Sequence, residues 1–159
     1  MENSKRSNIL VATMASLLTI GTIAAAFPVV QSSEQSGSRT LYHRLGGYDA
    51  IATFVDTAFP RVATNPKLQR LFKGHSTDSK YRQRQLIIDI LCRETGGPCV
   101  YTGRPMKPVH VGLEISEDDW KTFLKIITGT LEELKWADTE KKELLEIFER
   151  RFKPDVVEK

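Results

Sequence analysis

One stretch decides the fold, and it reads Tyr101-Thr-Gly-Arg-Pro-Met-Lys-Pro-Val-His-Val-Gly-Leu-Glu-Ile115. It carries one histidine, His110, on a short apolar segment. Gly103 and Pro105 precede that segment and Gly112 follows it, so any helix here is at most about two turns long. A single histidine in this setting is either a hydrogen-bonded core residue or a ligand, and the rest of the chain has to decide between these interpretations.

The length and the charge of the chain restrict its class. With 159 residues, of which 40% are hydrophobic, the chain is expected to form one domain, large enough to enclose a ligand of cofactor size. Its 23 Lys and Arg against 20 Asp and Glu give a net charge of +3, and the basic residues are scattered among acidic ones. A nucleic-acid-binding surface requires clustered positive charge, so we expect no nucleic acid as a partner.

Residues 1–26 have the three-part pattern of a secretory signal peptide. Lys5 and Arg6 precede residues 9–26, which carry no charge and end in three alanines. The alternative is an uncleaved membrane anchor, because the apolar run continues through residue 30 and reaches 22 residues, enough to span a bilayer. Both interpretations predict an exported domain, periplasmic or otherwise extracytoplasmic, that contacts a membrane only through residues 9–30.

Residues 27–39 are predicted to be a flexible linker, because residues 31–38 are polar and contain glycine. The folded domain is predicted to span residues 40–153, with residues 154–159 as a C-terminal tail. Cys92 and Cys99 flank a turn within this domain. An oxidising compartment favours a disulfide between them, and two free thiols are the alternative.

Apolar residues recur at intervals of three and four along several segments, which predicts helices. The predicted helices are a short turn at 41–45, a helix at 48–63 that Pro60 kinks or breaks near Ala58, a short run with Pro66 at a first helical position, and longer helices at 80–93, 117–136 and 138–152. No segment alternates with a period of two for long enough to form a strand. The predicted fold class is all-α.

Polar residues before three of these helices are candidate caps. Thr77, Asp78 or Ser79 is expected to cap the helix at 80–93. Ser116-Glu-Asp-Asp119 resembles a capping box, and Asp138 is expected to cap the last helix.

Several motifs occur together in a fixed order: Leu41-Tyr-His-Arg-Leu-Gly-Gly47, Asn65-Pro66, Leu71-Phe72, Gly96-Gly97-Pro98, Tyr101-Thr-Gly-Arg104, Met106-Lys107 and His110. This series resembles the truncated haemoglobins, the two-over-two globins, and most of all their first group. The resemblance covers about residues 40–153. It implies a truncated globin, a two-over-two helical sandwich that encloses haem b, an iron protoporphyrin.

The resemblance also implies roles for individual residues around the haem. His110 matches the proximal histidine whose imidazole binds the iron. Phe72 matches the phenylalanine that packs against the porphyrin face. Met106 and Val109 lie beside the ligand on the short helix, where the family packs apolar side chains under the haem. The second ring nitrogen of His110 needs a partner that fixes the ring, and we expect a nearby backbone carbonyl.

The distal side departs from the family pattern. The tyrosine with which the family donates a hydrogen bond to dioxygen aligns with Phe59, so the strongest expected donor is missing. Two registers are open for the next helix, since one places Tyr81 and Gln85 in the pocket and the other places Gln83 and Ile87 there. We favour Tyr81 and Gln85, because they lie four apart on one face and both can donate. A solvated first turn is the alternative for this pair.

Charged and histidine side chains near the pocket have less specific interpretations. Arg84, Lys107 and Arg104 are candidates to pair with the anionic haem propionates, and each fits an ordinary surface charge equally well. His75 lies in a loop and is a candidate sixth iron ligand. His43 is expected to be exposed.

Three functions are consistent with these observations. The first is a haem protein that reversibly binds dioxygen, nitric oxide or carbon monoxide, for oxygen transport or scavenging. The second is a haem enzyme, such as a nitric oxide dioxygenase or a peroxidase, which needs an electron donor outside this chain. The third is a helical interaction domain without a cofactor. The sequence has no flavin or nicotinamide motif that favours the enzyme, so we favour the binding protein.

Overall fold

The computed structural model describes residues 39–158, and the secondary structure of this part of the chain is helical throughout. Within residues 39–158, seven α-helices follow one another: α1 (Leu41–Leu45), α2 (Gly47–Thr64), α3 (Thr77–Glu94), α4 (Met106–His110), α5 (Glu117–Glu133), α6 (Asp138–Ile147) and α7 (Lys153–Val156). A 3-10 helix, Gln69–Phe72, lies between α2 and α3, and a π-helical turn, Phe148–Phe152, joins α6 to α7. The all-α prediction is confirmed, and the predicted signal peptide or anchor and most of the linker lie outside the described residues.

Two helix boundaries differ from the sequence predictions. Helix α2 is not broken, since it continues past Pro60 to Thr64. The proline therefore removes one amide donor without ending the helix. Helix α3 begins at Thr77 and is capped by Ser76, whose Oγ accepts from the amide of Ser79 at 3.1 Å. The predicted cap and start both lay too far along the chain.

Two further segments were assigned wrongly from sequence. Pro66 begins a turn instead of a helix, because the Asn65 side chain accepts from the amide of Lys67 at 3.0 Å and so stabilises a turn. The last predicted helix, 138–152, is divided between α6 and the π-helical turn, and α7 follows it. The residue before α6 is Ala137, so Asp138 is its first residue and not its cap.

The helices enclose one apolar core, which α2 organises. Helix α2 packs against α3 and α5, while α1 contacts α2 and α6, and α4 packs against α7. Residues that α2 contributes to the core include Ile51, Phe54 and Val55, each at most 2% exposed. None of the described helices is long and apolar enough to cross a membrane.

A disulfide holds the end of α3 to the loop that follows it. Cys92 and Cys99 are bonded, with their Cα atoms 5.7 Å apart, as the sequence predicts. Gly97 passes so close beneath this bond that a Cβ atom would lie 2.7 Å from Cys92 Sγ and 2.5 Å from the Tyr42 ring. Only glycine fits at this position without displacing its neighbours.

The predicted capping box at the start of α5 is present. Ser116 Oγ accepts from the amide of Asp119 at 3.1 Å, and the Asp119 carboxylate accepts from the amide of Ser116 at 2.9 Å. Asp119 is only 3% exposed, and it also accepts from Arg70 at 2.7 Å. Burial opposes its ionisation, but the hydrogen bonds from Ser116 and the charges of Arg70 and Lys67 outweigh burial, so the pKa of Asp119 is lowered.

Reduction of the disulfide is expected to lower the free energy of unfolding by about 2 to 3 kcal/mol, because the unfolded chain regains the entropy of one short loop. Urea unfolding followed by circular dichroism, with and without a thiol reductant, measures this difference. The Cys92→Ala/Cys99→Ala variant is the control, since reductant should leave its unfolding midpoint unchanged. Equal midpoints for the oxidised and reduced wild type would contradict the expectation.

The lowered pKa of Asp119 predicts a pH-dependent effect of Asp119→Asn. Above the usual aspartate pKa of about 4, the wild type should be more stable than the variant, because the ionised carboxylate is favoured in the folded state. The difference in stability between the wild type and the variant should narrow as the pH falls below about 4 and through the lower folded-state pKa of Asp119. Thermal unfolding of both proteins from pH 3 to pH 7, taken as roughly the range of carboxylate titration, tests this. A difference independent of pH would disprove it.

Candidate functional site

A cavity of about 720 Å³ lies between the helices, and apolar side chains form most of its lining. Its volume is within the range of about 300–1,000 Å³ that is usual for ligand and cofactor pockets. Five residues that the sequence predicts as haem contacts line it together: Phe59, Phe72, Met106, Val109 and His110. They come from three separate segments, α2, the 3-10 helix and α4, so the fold has brought these segments to one place.

His110 is the last residue of α4 and is half-buried at the cavity. Its Nδ1 lies 2.8 Å from the backbone carbonyl oxygen of Met106. A carbonyl can only accept, so this contact assigns the ring proton to Nδ1 and leaves the lone pair of Nε2 for another partner. Met106 is therefore the residue whose carbonyl orients the ring. An orientated neutral imidazole of this kind is the usual arrangement of a histidine metal ligand.

The segment after His110 is held in place from the C-terminal end of the described chain. The amide of Gly112 donates to the Glu158 carboxylate at 2.6 Å, and the amide of Glu158 donates to the carbonyl of Ile115 at 2.9 Å. Gly112 has a φ of +83°, which suits glycine and turns the chain away from α4. Helix α4 is thereby limited to the short length that the sequence predicts.

The favoured distal register, with Tyr81 and Gln85 in the pocket, is corrected by the structure. Tyr81 is 67% exposed, and Gln85 donates to the Tyr48 hydroxyl and to Asp89, both at 2.8 Å. Neither residue lines the cavity. Four-residue spacing correctly places the two side chains on one helix face, but that face points away from the cavity.

The alternative register matches the structure, since Gln83 and Ile87 both line the cavity. Gln83 is the one amide side chain among the described residues of the lining, and its Oε1 is buried without a hydrogen-bond partner. Phe59 cannot donate a hydrogen bond, and its ring packs edge-on against that of Phe72, with 5.7 Å between the ring centroids. The distal wall therefore combines aromatic surface with one unsatisfied amide.

The basic residues predicted to pair with the haem propionates differ in whether they line the cavity. Arg84 donates to Asp56 at 2.7 Å and Lys107 is exposed, and neither lines the cavity. Arg104 does line it, and so does Arg82, which sequence reasoning missed. Anchoring the register of α3 on the glycine pair at its end would have found Arg82 next to Gln83.

The other two histidines differ in their position relative to the cavity. His75 lines the cavity, with its ring centroid 6.1 Å from that of Phe72, and Ser79 also contributes to the lining. His43 is exposed, as predicted, and its Nδ1 lies 2.8 Å from the Thr40 hydroxyl.

The residues present fit haem. Apolar walls suit the porphyrin, the neutral imidazole of His110 suits iron, and the guanidinium groups of Arg82 and Arg104 suit anionic propionates. The buried Oε1 of the Gln83 amide has no hydrogen-bond partner within the described residues. An unpaired buried polar atom is costly, which is typical of a position kept for a ligand.

Comparison with known proteins agrees with this chemistry. The bacterial-like globin family matches residues 40–156. A group 1 truncated haemoglobin of Nostoc commune is 36% identical over 86 residues, which cover 54% of this chain and 70% of that relative. A group 1 truncated haemoglobin of Tetrahymena pyriformis is 26% identical over 115 residues, which cover 72% of this chain and 93% of that relative.

Solved structures share the fold. The crystal structure of the Tetrahymena pyriformis truncated haemoglobin in its Fe(III) form has a TM-score of 0.67 and 26% identity, covering 76% of this chain and 100% of that one. These neighbours are two-over-two globins, so the predicted architecture is confirmed, and the family implies haem binding. The chain belongs to the bacterial-like globin family and is a group 1 truncated haemoglobin.

Proposed function

We propose that this globin binds haem b in the 720 Å³ cavity through His110 and reversibly binds dioxygen. One observation carries the proposal: the Nδ1 of His110 is held by the Met106 carbonyl, which leaves Nε2 as a ligand beside an apolar cavity. Haem iron, when bound to one histidine, supplies an open coordination position for a diatomic ligand.

The apolar side chains would hold the macrocycle and exclude water. Phe72 and Phe59 contribute aromatic surface on one side, and Met106 and Val109 contribute aliphatic surface beside His110. Exclusion of water would slow the oxidation of ferrous iron to ferric iron, because access of water and protons to the iron promotes that oxidation. Arg82 and Arg104 would pair with the propionates.

Gln83 would be the main distal donor. Its amide can donate from Nε2 towards a ligand in the cavity, whereas Phe59 can donate nothing. One amide in place of a tyrosine and a glutamine gives weaker retention of dioxygen, so we propose a globin with fast ligand release. Such a protein suits delivery or scavenging better than storage.

We also propose that the domain acts outside the cytoplasm. The support is the charged start and uncharged run of residues 1–26, together with the disulfide between Cys92 and Cys99, a bond favoured by oxidising compartments. Fractionation of cells that express the full chain, followed by mass measurement of the N-terminus, would test export and cleavage together.

Purified wild type supplied with haem is expected to show a Soret absorption band and, after reduction, a carbonmonoxy spectrum. His110→Ala should lose both the iron–histidine bond and most haem affinity, because it removes the imidazole that would bind the iron. The other histidine of the described lining, His75, lies on a different segment and is not expected to replace it. Absorption spectra of the ferric, ferrous and carbonmonoxy forms measure this.

The matched control for His110→Ala is His43→Ala, which removes an exposed imidazole remote from the cavity lining. Its spectra should equal those of the wild type. No Soret band in the wild type, or one unchanged in His110→Ala, would overturn the proposed function.

Gln83→Leu is expected to raise the dioxygen dissociation rate by about tenfold, because loss of one hydrogen bond costs about 1 to 2 kcal/mol. Gln85→Leu is the matched control, since it makes the same change two residues further along α3 but outside the cavity. Stopped-flow measurement on the ferrous proteins separates the two. A large effect of Gln85→Leu with none of Gln83→Leu would favour the other register and reject the role of Gln83.

A further inference from the structure

We propose that Arg70 is a positioning residue for His110, and that it positions His110 by joining two walls of the cavity. The inference rests on the proposed function, because it assigns a role relative to the iron ligand. Arg70 lies in the 3-10 helix Gln69–Phe72, two residues before Phe72. Its guanidinium reaches across to the segment that follows His110, so one side chain links the Phe72 wall to the His110 wall.

The contacts of Arg70 are directed at the backbone after α4. Nη1 donates to the carbonyl of Leu113 at 3.2 Å, and Nη2 donates to the carbonyl of Glu114 at 3.2 Å. The amide of Leu113 in turn donates to the carbonyl of His110 at 3.1 Å. Two successive hydrogen bonds therefore connect the guanidinium with the backbone of the proposed iron ligand.

A buried carboxylate fixes the guanidinium at this place. Nη2 of Arg70 also donates to Asp119 at 2.7 Å, and the Ser116 hydroxyl donates to the same carboxylate oxygen at 2.8 Å. Asp119 lines the cavity wall and is held by its capping box at the start of α5. A planar guanidinium can serve three acceptors at once in fixed directions, which an ammonium group on a flexible chain does poorly.

Glu114 shows that this segment is under constraint. Its φ is +51°, a left-handed conformation that non-glycine residues rarely adopt. Such a conformation persists where surrounding contacts over-determine it, and the Arg70 hydrogen bond to the Glu114 carbonyl is one of those contacts. Without Arg70, we expect residues 111–114 to relax and the imidazole of His110 to change its tilt.

The test compares Arg70→Ala with the wild type, both loaded with haem. Arg70→Ala should bind haem but release it to an excess of a haem-scavenging protein about tenfold faster or more, as for loss of other groups that orient metal ligands. The iron–histidine stretching frequency in the resonance Raman spectrum of the ferrous form should shift. A general loss of stability would not move that frequency.

Arg61→Ala is the matched control. The side chain of Arg61 is 42% exposed against 46% for Arg70, and each guanidinium lies 2.7 Å from a carboxylate. Arg61 pairs with Glu133 on α5, away from the segment after His110. Its variant should keep both the haem-release rate and the stretching frequency of the wild type.

Arg70→Lys keeps the charge and serves if Arg70→Ala fails to fold. It should shift the stretching frequency in the same direction, because an ammonium group on a flexible chain serves three acceptors less well than a planar guanidinium does. An unchanged frequency and release rate in the Arg70 variants, or equal changes in Arg61→Ala, would overturn the role of Arg70. Failure of the wild type to bind haem would instead reject the proposed function and this inference with it.

Discussion

The hydrogen bond between His110 Nδ1 and the Met106 carbonyl is the interaction on which the site depends. Helix α4 has only five residues, so it cannot orient a side chain through extensive packing along its length. Orientation comes instead from hydrogen bonds within α4 and from groups that hold its exit, which are Glu158 and Arg70. A short helix whose exit is held by other segments can thus still orient an imidazole.

The proximal side could be predicted from sequence because its determinants are local. Gly103, Pro105 and Gly112 limit α4, and the histidine lies within those limits whatever the rest of the chain does. The distal side could not, because residues on every face of α3 are polar in its first half. Which face meets the cavity is decided by the packing of α3 on α2, a tertiary contact that spacing does not encode.

The errors in helix boundaries have related causes. Pro60 predicts a kink or a break in α2 because it lacks an amide donor, but the loss of this one donor does not end the helix. Thr77, Asp78 and Ser79 compete as candidate caps of α3, and the structure uses Ser76, which precedes all of them. Strong signals, such as the capping box of α5 and the glycine pair after α3, were predicted correctly because side-chain and backbone requirements coincide there.

The unpaired amide oxygen of Gln83 has a consequence for the evolution of this position. Its buried Oε1 has no partner, and an unsatisfied group of this kind costs about 1 to 3 kcal/mol in the ligand-free protein. An aliphatic residue would therefore give a more stable fold at this position. Under the proposed role of Gln83 as a distal donor, fold stability and ligand retention therefore make opposite demands on this side chain.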